Sequence, residues 1–175
     1  MPRSFDMSAD IEGSVQQVHQ AFHDVGYWQG RLAETPVDVA SLERMRIGGE
    51  SGDDGTIEVI THQTMLSHHL PALVTQLHRG DLCVRREETW GPINDDGVAT
   101  ASITGAIVGA PVHLWGTMAL QPHGGPDASR ITVQLTIQVR VPFLGGKLER
   151  MIGNELGELV AIEQRFTTLW ISGDS

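Results

Sequence analysis

The sequence predicts an α+β fold in which one curved antiparallel sheet wraps around a long C-terminal helix. Three observations carry that expectation. Segments at the N-terminus and just before the last helix alternate apolar and polar residues with period two. The strand-like stretches between them are mostly joined by short turns rich in glycine, asparagine and aspartate, too short for crossover helices. The C-terminal stretch then repeats apolar residues at helical spacing.

In the opening segment, Ser4 to Glu12, the residues Phe5, Met7, Ala9 and Ile11 share one face, and Ser4, Asp6, Ser8 and Asp10 the other. That is the pattern of a half-buried strand. Gly13 breaks it. Ser14 is a good N-cap, and Gln17 completes a capping box. Val15, Val18, Ala21 and Phe22 follow at helical spacing, with an end expected near Asp24 to Gly26. A second short helix carries Tyr27, Trp28, Arg31 and Leu32 before Pro36 stops it.

Strands are expected at Val37 to Ile47 and Thr56 to Thr64, with the glycine-rich run 48–55 as the turn between them. Met65 to His78 contains Pro71 and reads as a loop with a short helix. Four more strands follow at Leu82 to Trp90, Ala99 to Val108, Pro111 to Gln121 and Arg130 to Val141. Their turns lie at 94–97, 109–111 and 123–129. The final helix, Leu144 to Ile171, places Leu148, Met151, Ile152, Leu156, Leu159, Val160, Ile162, Phe166, Leu169 and Trp170 on one broad arc. A sheet of this many strands curls. Its apolar face needs the helix as a cover, and the space between them is the default place for a small molecule. No repeat or linker interrupts the chain, so residues 1–175 are expected to form a single domain.

The chain has 175 residues, 40% hydrophobic and 19% charged, which excludes a disordered or fibrous protein. Its net charge of -10, from 22 acidic and 12 basic residues, repels phosphate backbones and anionic bilayers on average. The adjacent basic pair Arg85-Arg86 is followed at once by Glu87-Glu88. No nucleic-acid partner is expected. The single cysteine, Cys83, excludes an intramolecular disulfide and suits a reducing compartment. The N-terminus carries Asp6 and Asp10 and lacks the apolar core of a signal peptide. No apolar run approaches the roughly 18 residues that span a bilayer. The expectation is a cytoplasmic chain without stable membrane insertion.

The segment from Val141 to Leu156, VPFLGGKLERMIGNEL, resembles the strand-to-helix junction common in bacterial members of the START-like superfamily. With Tyr27-Trp28, Leu70-Pro71 and Glu88-Thr89-Trp90, nearly the whole chain resembles an actinobacterial branch of that superfamily. The superfamily includes polyketide cyclases, lipid-transfer domains and the birch-pollen allergen. The resemblance implies the helix-grip version of the predicted fold. It leaves activity open, because such folds host carriers, enzymes, receptors and chaperone activators.

Motifs for chemistry are sparse. His19 and His23 lie four apart on a helix but lack an HExxH context. His62, His68, His69 and His78 are irregularly spaced, with Asp81 and Cys83 nearby. Neither set reads as a metal site. Gly-x-Ser-x-Gly is absent, and Cys83 has no base evident in the sequence, so it reads as a small buried hydrophobe. No Gly-x-Gly-x-x-Gly or Walker-type loop occurs, and the acids in the run 48–55 would repel a phosphate. Catalytic residues, metal and cofactor are all expected to be absent.

The informative polar residues are Glu155 and Glu163, which fall inside the apolar arc of the last helix. A carboxylate facing a core is costly unless paired, so each either reaches water at an edge of the arc or pairs with a basic or hydroxyl group from the sheet. Arg86 is the first candidate for Glu163, with Arg140 and Thr61 as others. Gly153, Gly157 and Ala161 form a small-residue stripe whose expected role is close approach. Trp90 and Trp115 lie in strands and either fill the core or stack a flat ligand. The expected cavity lining is Met7, Ile57, Val59, Trp90, Ile103, Trp115, Val133, Ile137, Leu156, Val160 and Glu163. The expected function is binding or transport of a hydrophobic small molecule, lipid-like or polycyclic. The alternatives are a cyclase or dehydratase acting on a hydrophobic carbonyl compound, and a protein-interaction domain whose cavity its own side chains close.

Overall fold

Seven strands form one antiparallel sheet in the order β1-β7-β6-β5-β4-β3-β2. The computed structural model describes residues 2–49 and 54–173. Along the chain the elements are β1 (Arg3–Ile11), α1 (Val15–Phe22), α2 (Val25–Ala33), β2 (Val39–Ile47) and β3 (Ile57–Met65). A 3-10 turn (Ser67–His69) and α3 (Ala72–Leu77) follow. Then come β4 (Leu82–Trp90), β5 (Ala99–Ile107), β6 (Val112–Pro122), β7 (Ser129–Val139) and α4 (Gly145–Ser172). Every predicted element is present, with ends displaced by a few residues where prolines and glycines turn the chain. The turn expected at 48–55 lies partly outside the described residues, though Gly48, Gly49 and Gly55 carry the positive φ that a glycine turn uses.

The first and last strands are neighbours. β1 pairs with β7 from Arg3 opposite Ile137 to Ile11 opposite Ser129. Period two then sorts each strand onto two faces. Ile131, Val133, Leu135, Ile137 and Val139 are buried on the concave side. α4 lies on that side, chiefly over β1 and β7, as the fold prediction requires. α2 lies against β2.

The entry into α1 follows the sequence signal. Ser14 Oγ accepts from the Gln17 amide at 3.1 Å, and Gln17 Oε1 accepts from the Ser14 amide at 2.9 Å. Asp24 caps α2 by accepting from the Gly26 amide at 2.8 Å. These caps seat an aromatic group at one end of the core. Phe22 packs on Trp90 and Trp28 with ring centroids 5.0 and 5.5 Å apart, and Tyr27 meets Phe166 at 5.7 Å. Trp90 is therefore core as well as a cavity wall.

α3 buries none of its residues. Among the described residues, no helix is long and apolar enough to cross a membrane.

Candidate functional site

Strand β4 puts Val84, Arg86, Glu88 and Trp90 on its concave face, where period two demands. Arg86 faces α4. Its Nη1 donates to Glu163 Oε2 at 2.8 Å, its Nη2 donates to Glu163 Oε1 at 3.2 Å, and the same Nη2 donates to Glu88 Oε1 at 3.1 Å. The pair anticipated between Glu163 and Arg86 is thus present and bidentate. A second guanidinium completes it: Arg31 Nη2 lies 2.8 Å from Glu163 Oε1. Arg31 stacks 4.7 Å from the Trp28 ring centroid and donates to the Tyr27 hydroxyl at 3.4 Å. That hydroxyl lies 2.6 Å from Thr167 Oγ1 on α4.

Two guanidinium groups and two carboxyl groups therefore sit together under α4, nearly dry. Burial alone would raise the pKa of Glu163. Arg31 and then Arg86 outweigh it and hold the group at about 2. Burial likewise opposes the charge on Arg31 and Arg86, and the Glu163 carboxylate overrides it in both, so both stay protonated.

Beside this cluster is a cavity of about 40 Å³. Trp90, Ile103, Val133, Leu156, Val160 and Glu163, all expected in the lining, do line it. Gly105 stands opposite Arg86 in the sheet register and also lines the cavity, with the Leu114 side chain packed over its bare Cα. Two buried donors on the lining residues have no hydrogen-bond partner, Arg86 Nε and Trp90 Nε1. The space holds little more than water, for which roughly 10–15 Å³ of such volume suffices.

The other expected lining residues lie elsewhere. Met7 and Ile137 belong to β1 and β7, directly under α4, and pack in the core. Ile57 and Val59 are buried in the cluster that includes Tyr27, Trp28 and Trp90. Trp115 is a clear correction. It is 41% exposed, because Val112, Leu114, Met118 and Leu120 take the inward phase of β6 and turn Trp115 to the convex face. Glu155 is exposed on α4, the arc-edge placement that reaches water. Arg140 is exposed at the β7–α4 junction and makes no pair with Glu163. Thr61 is buried opposite Arg86 in the register.

Sequence reasoning missed Arg31, Glu88 and Gln164 as members of the site. Signals for two of them existed. Arg31 follows Tyr27 by one helical turn, on the buried face with Trp28 and Leu32. Glu88 lies between Arg86 and Trp90 in the same strand phase.

α4 is buried at both ends and only half-buried between them. Near its start, the Val139 amide donates to Glu149 Oε2 at 2.9 Å, and Gly153 meets the Phe5 ring. Near its end, Glu163, Gln164, Phe166 and Thr167 are buried. From Asn154 to Ile162 no residue is buried, although Leu156, Leu159 and Val160 line the cavity. Of the expected small-residue stripe, Gly153 is in close contact, Gly157 faces open space and Ala161 is exposed.

The histidines are spread over the molecule. His19 Nε2 donates to the Gly91 carbonyl at 2.9 Å, and His23 Nδ1 donates to the His19 carbonyl at 2.8 Å. His69 Nδ1 lies 2.6 Å from Asp38 Oδ1, and His78 Nε2 donates to the Asp81 carbonyl at 3.0 Å. Among the described residues, no three His, Cys, Asp or Glu side chains are placed to hold a metal ion. Cys83 does have a base close by, contrary to the sequence reading. His62 Nδ1 lies 3.5 Å from its Sγ, and His62 Nε2 lies 3.0 Å from Glu43 Oε1. Sequence separation hid this contact, which forms between adjacent strands on the convex face.

Residues 6–171 match the model of a family described as protein of unknown function DUF2505, and the chain belongs to that family. An uncharacterized protein of Mycobacterium tuberculosis strain H37Rv is 68% identical over 174 residues, covering 99% of both chains. Among solved structures, a START superfamily protein from Mycobacterium smegmatis is similar at TM-score 0.54 and 9% identity, covering 98% of this chain and 99% of that one. Norcoclaurine synthase from Thalictrum flavum, in complex with dopamine and hydroxybenzaldehyde, is similar at TM-score 0.53 and 13% identity, covering 100% and 90%. At such identities the likeness establishes the START-like fold and nothing finer.

Proposed function

We propose that this DUF2505 chain binds a hydrophobic small molecule between the middle of α4 and the β4–β5 side of the sheet, as a carrier or sensor. The observation that carries the reading is the incompletely buried span of α4 from Asn154 to Ile162 above an apolar cavity. Leu156, Leu159 and Val160 are apolar and only half-buried, with Leu156 and Val160 resting on the core beside the cavity. A helix clamped at its ends can bow there, and a ligand would supply the missing contacts. Expansion is required, because small-molecule pockets usually run to roughly 300–1,000 Å³. Arg86 Nε and Trp90 Nε1 favour a ligand that carries a hydrogen-bond acceptor, such as a carbonyl or ether oxygen. The cyclase or dehydratase alternative is weaker. Glu163 is bonded to two arginines, and no histidine is among the residues lining the cavity.

The small volume favours a second reading, an interaction domain that its own side chains close. Native mass spectrometry of freshly purified protein, with uptake of an apolar fluorescent probe, separates the two. An apolar adduct, or saturable probe uptake abolished by Val160→Phe with the fold intact, supports the carrier. A clean mass with no uptake overturns it in favour of the closed domain.

A further inference from the structure

We infer that one end of the sheet docks reversibly on an anionic lipid surface, with the Phe143 ring as its apolar anchor. In an antiparallel meander, successive connections alternate between the two ends. One end holds the β2–β3, β4–β5 and β6–β7 turns, which carry Asp54, Asp95, Asp96 and Asp127. The other holds the β3–β4, β5–β6 and β7–α4 connections, which carry Arg79 and Arg140, with Lys147 and Arg150 on the first turns of α4. Hydrogen bonds tie these connections side by side. The Arg140 amide donates to the Pro111 carbonyl at 3.0 Å, and the Val108 amide donates to the Cys83 carbonyl at 2.9 Å.

The net charge of -10 therefore conceals a polarised molecule. Arg79, Arg140, Lys147 and Arg150 are all exposed. Two acids at this end are engaged: Asp38 accepts from His69 and from the Leu66 amide, and Asp81 accepts from the Ser67 amide.

Apolar side chains stand among these cations. Phe143 is fully exposed, Val108 is 55% exposed on the neighbouring turn, and Leu77 is 44% exposed on α3. Phe143 is also, among the described residues, the only non-glycine with a positive φ, at 67°. A bulky L-residue resists that conformation. The chain thus keeps an aromatic ring in water on an unfavourable backbone, where glycine would relieve both penalties. Unfavourable geometry of this kind marks functional positions. A protruding ring with cations around it suits the interfacial layer of an anionic bilayer, where aromatics anchor and basic residues meet lipid phosphates. A protein interface suits this face less well, because charged residues are depleted at interface cores and here cations surround the ring. This inference does not depend on the ligand reading.

The test is co-flotation of the full chain with phosphatidylcholine vesicles, with and without phosphatidylglycerol. The wild type should partition only with the anionic vesicles and be released by salt. Phe143→Gly should lower partitioning about tenfold while raising thermal stability, which rules out misfolding as the cause. The triple change Arg140→Glu, Lys147→Glu, Arg150→Glu should abolish it. Absence of wild-type partitioning overturns the proposal, as does partitioning indifferent to both variants. A Phe143-dependent dimer seen by light scattering, with no vesicle binding, overturns it in favour of a self-association face.

Discussion

The clamped ends of α4 and the span between them differ in a way their hydrophobicity does not foretell. The C-terminal clamp is largely polar: Glu163, Gln164 and Thr167 are buried beside Phe166. The N-terminal clamp rests on Glu149, which is fully buried, and on the bare Cα of Gly153 under Phe5. The span contains Leu156, Leu159, Val160 and Ile162, yet none of these is buried. Apolar character alone does not dock a helix; the docking surface must reach it. α4 follows β1 and β7, and Leu156 and Val160 in the span meet the core only in part. Directional bonds at the two ends hold the helix, while the span between them is covered less completely.

The largest effect should come from breaking the C-terminal clamp. Glu163→Ala leaves Arg31 and Arg86 buried without their common carboxylate, and stability should fall by about 3–5 kcal/mol in urea unfolding. The same clamp predicts a pH dependence. The folded pKa of Glu163 is about 2 against an ordinary 4.5, so its stabilisation is complete above pH 4.5 and is lost as pH falls toward 2. That contribution is roughly 3 kcal/mol. Glu163→Gln should flatten the stability profile across that window. Equal acid sensitivity in wild type and variant would mean that the carboxylate does not hold the clamp.

A smaller effect should follow at the N-terminal clamp. A methyl group at Gly153 would run into the Phe5 ring, so Gly153→Ala should cost about 1–3 kcal/mol in the same unfolding measurement. The smallest effect, and of opposite sign, is expected in the span. A Cβ at Gly157 meets nothing within 4 Å, so Gly157→Ala should stabilise by about 0.5–1 kcal/mol. Loss of stability at position 157 would show that the span is packed, and would remove the main support for a ligand there.

Local rules accounted for most of the fold. Alternation at 5–11 and 131–139 marked the strands that pair across the full chain, and Ser14 with Gln17 marked the start of α1 through a contact three residues long. Glu163 was legible because a carboxylate in an apolar arc needs a cation, and Arg86 was named from its strand phase. Trp115 was placed wrongly because two tryptophans in strands look alike until the inward phase of β6 is known. Whether Glu155 reached water or a partner was not legible, because the arc of α4 is wider than the surface that buries it.

By itself the sequence determined the element order, the helix caps, the alternating faces and the need for a partner at Glu163. These depend on the spacing of a few neighbouring residues and on the cost of an unpaired buried charge. Only the tertiary structure decided that Arg31 joins that pair, that Cys83 meets His62, that Arg79, Arg140, Lys147 and Arg150 come to one end, and that the middle of α4 is only half-buried. Each of these is a distance between residues remote in the chain. The curvature of the sheet and the path of α4 across it set such distances, and no local pattern encodes them.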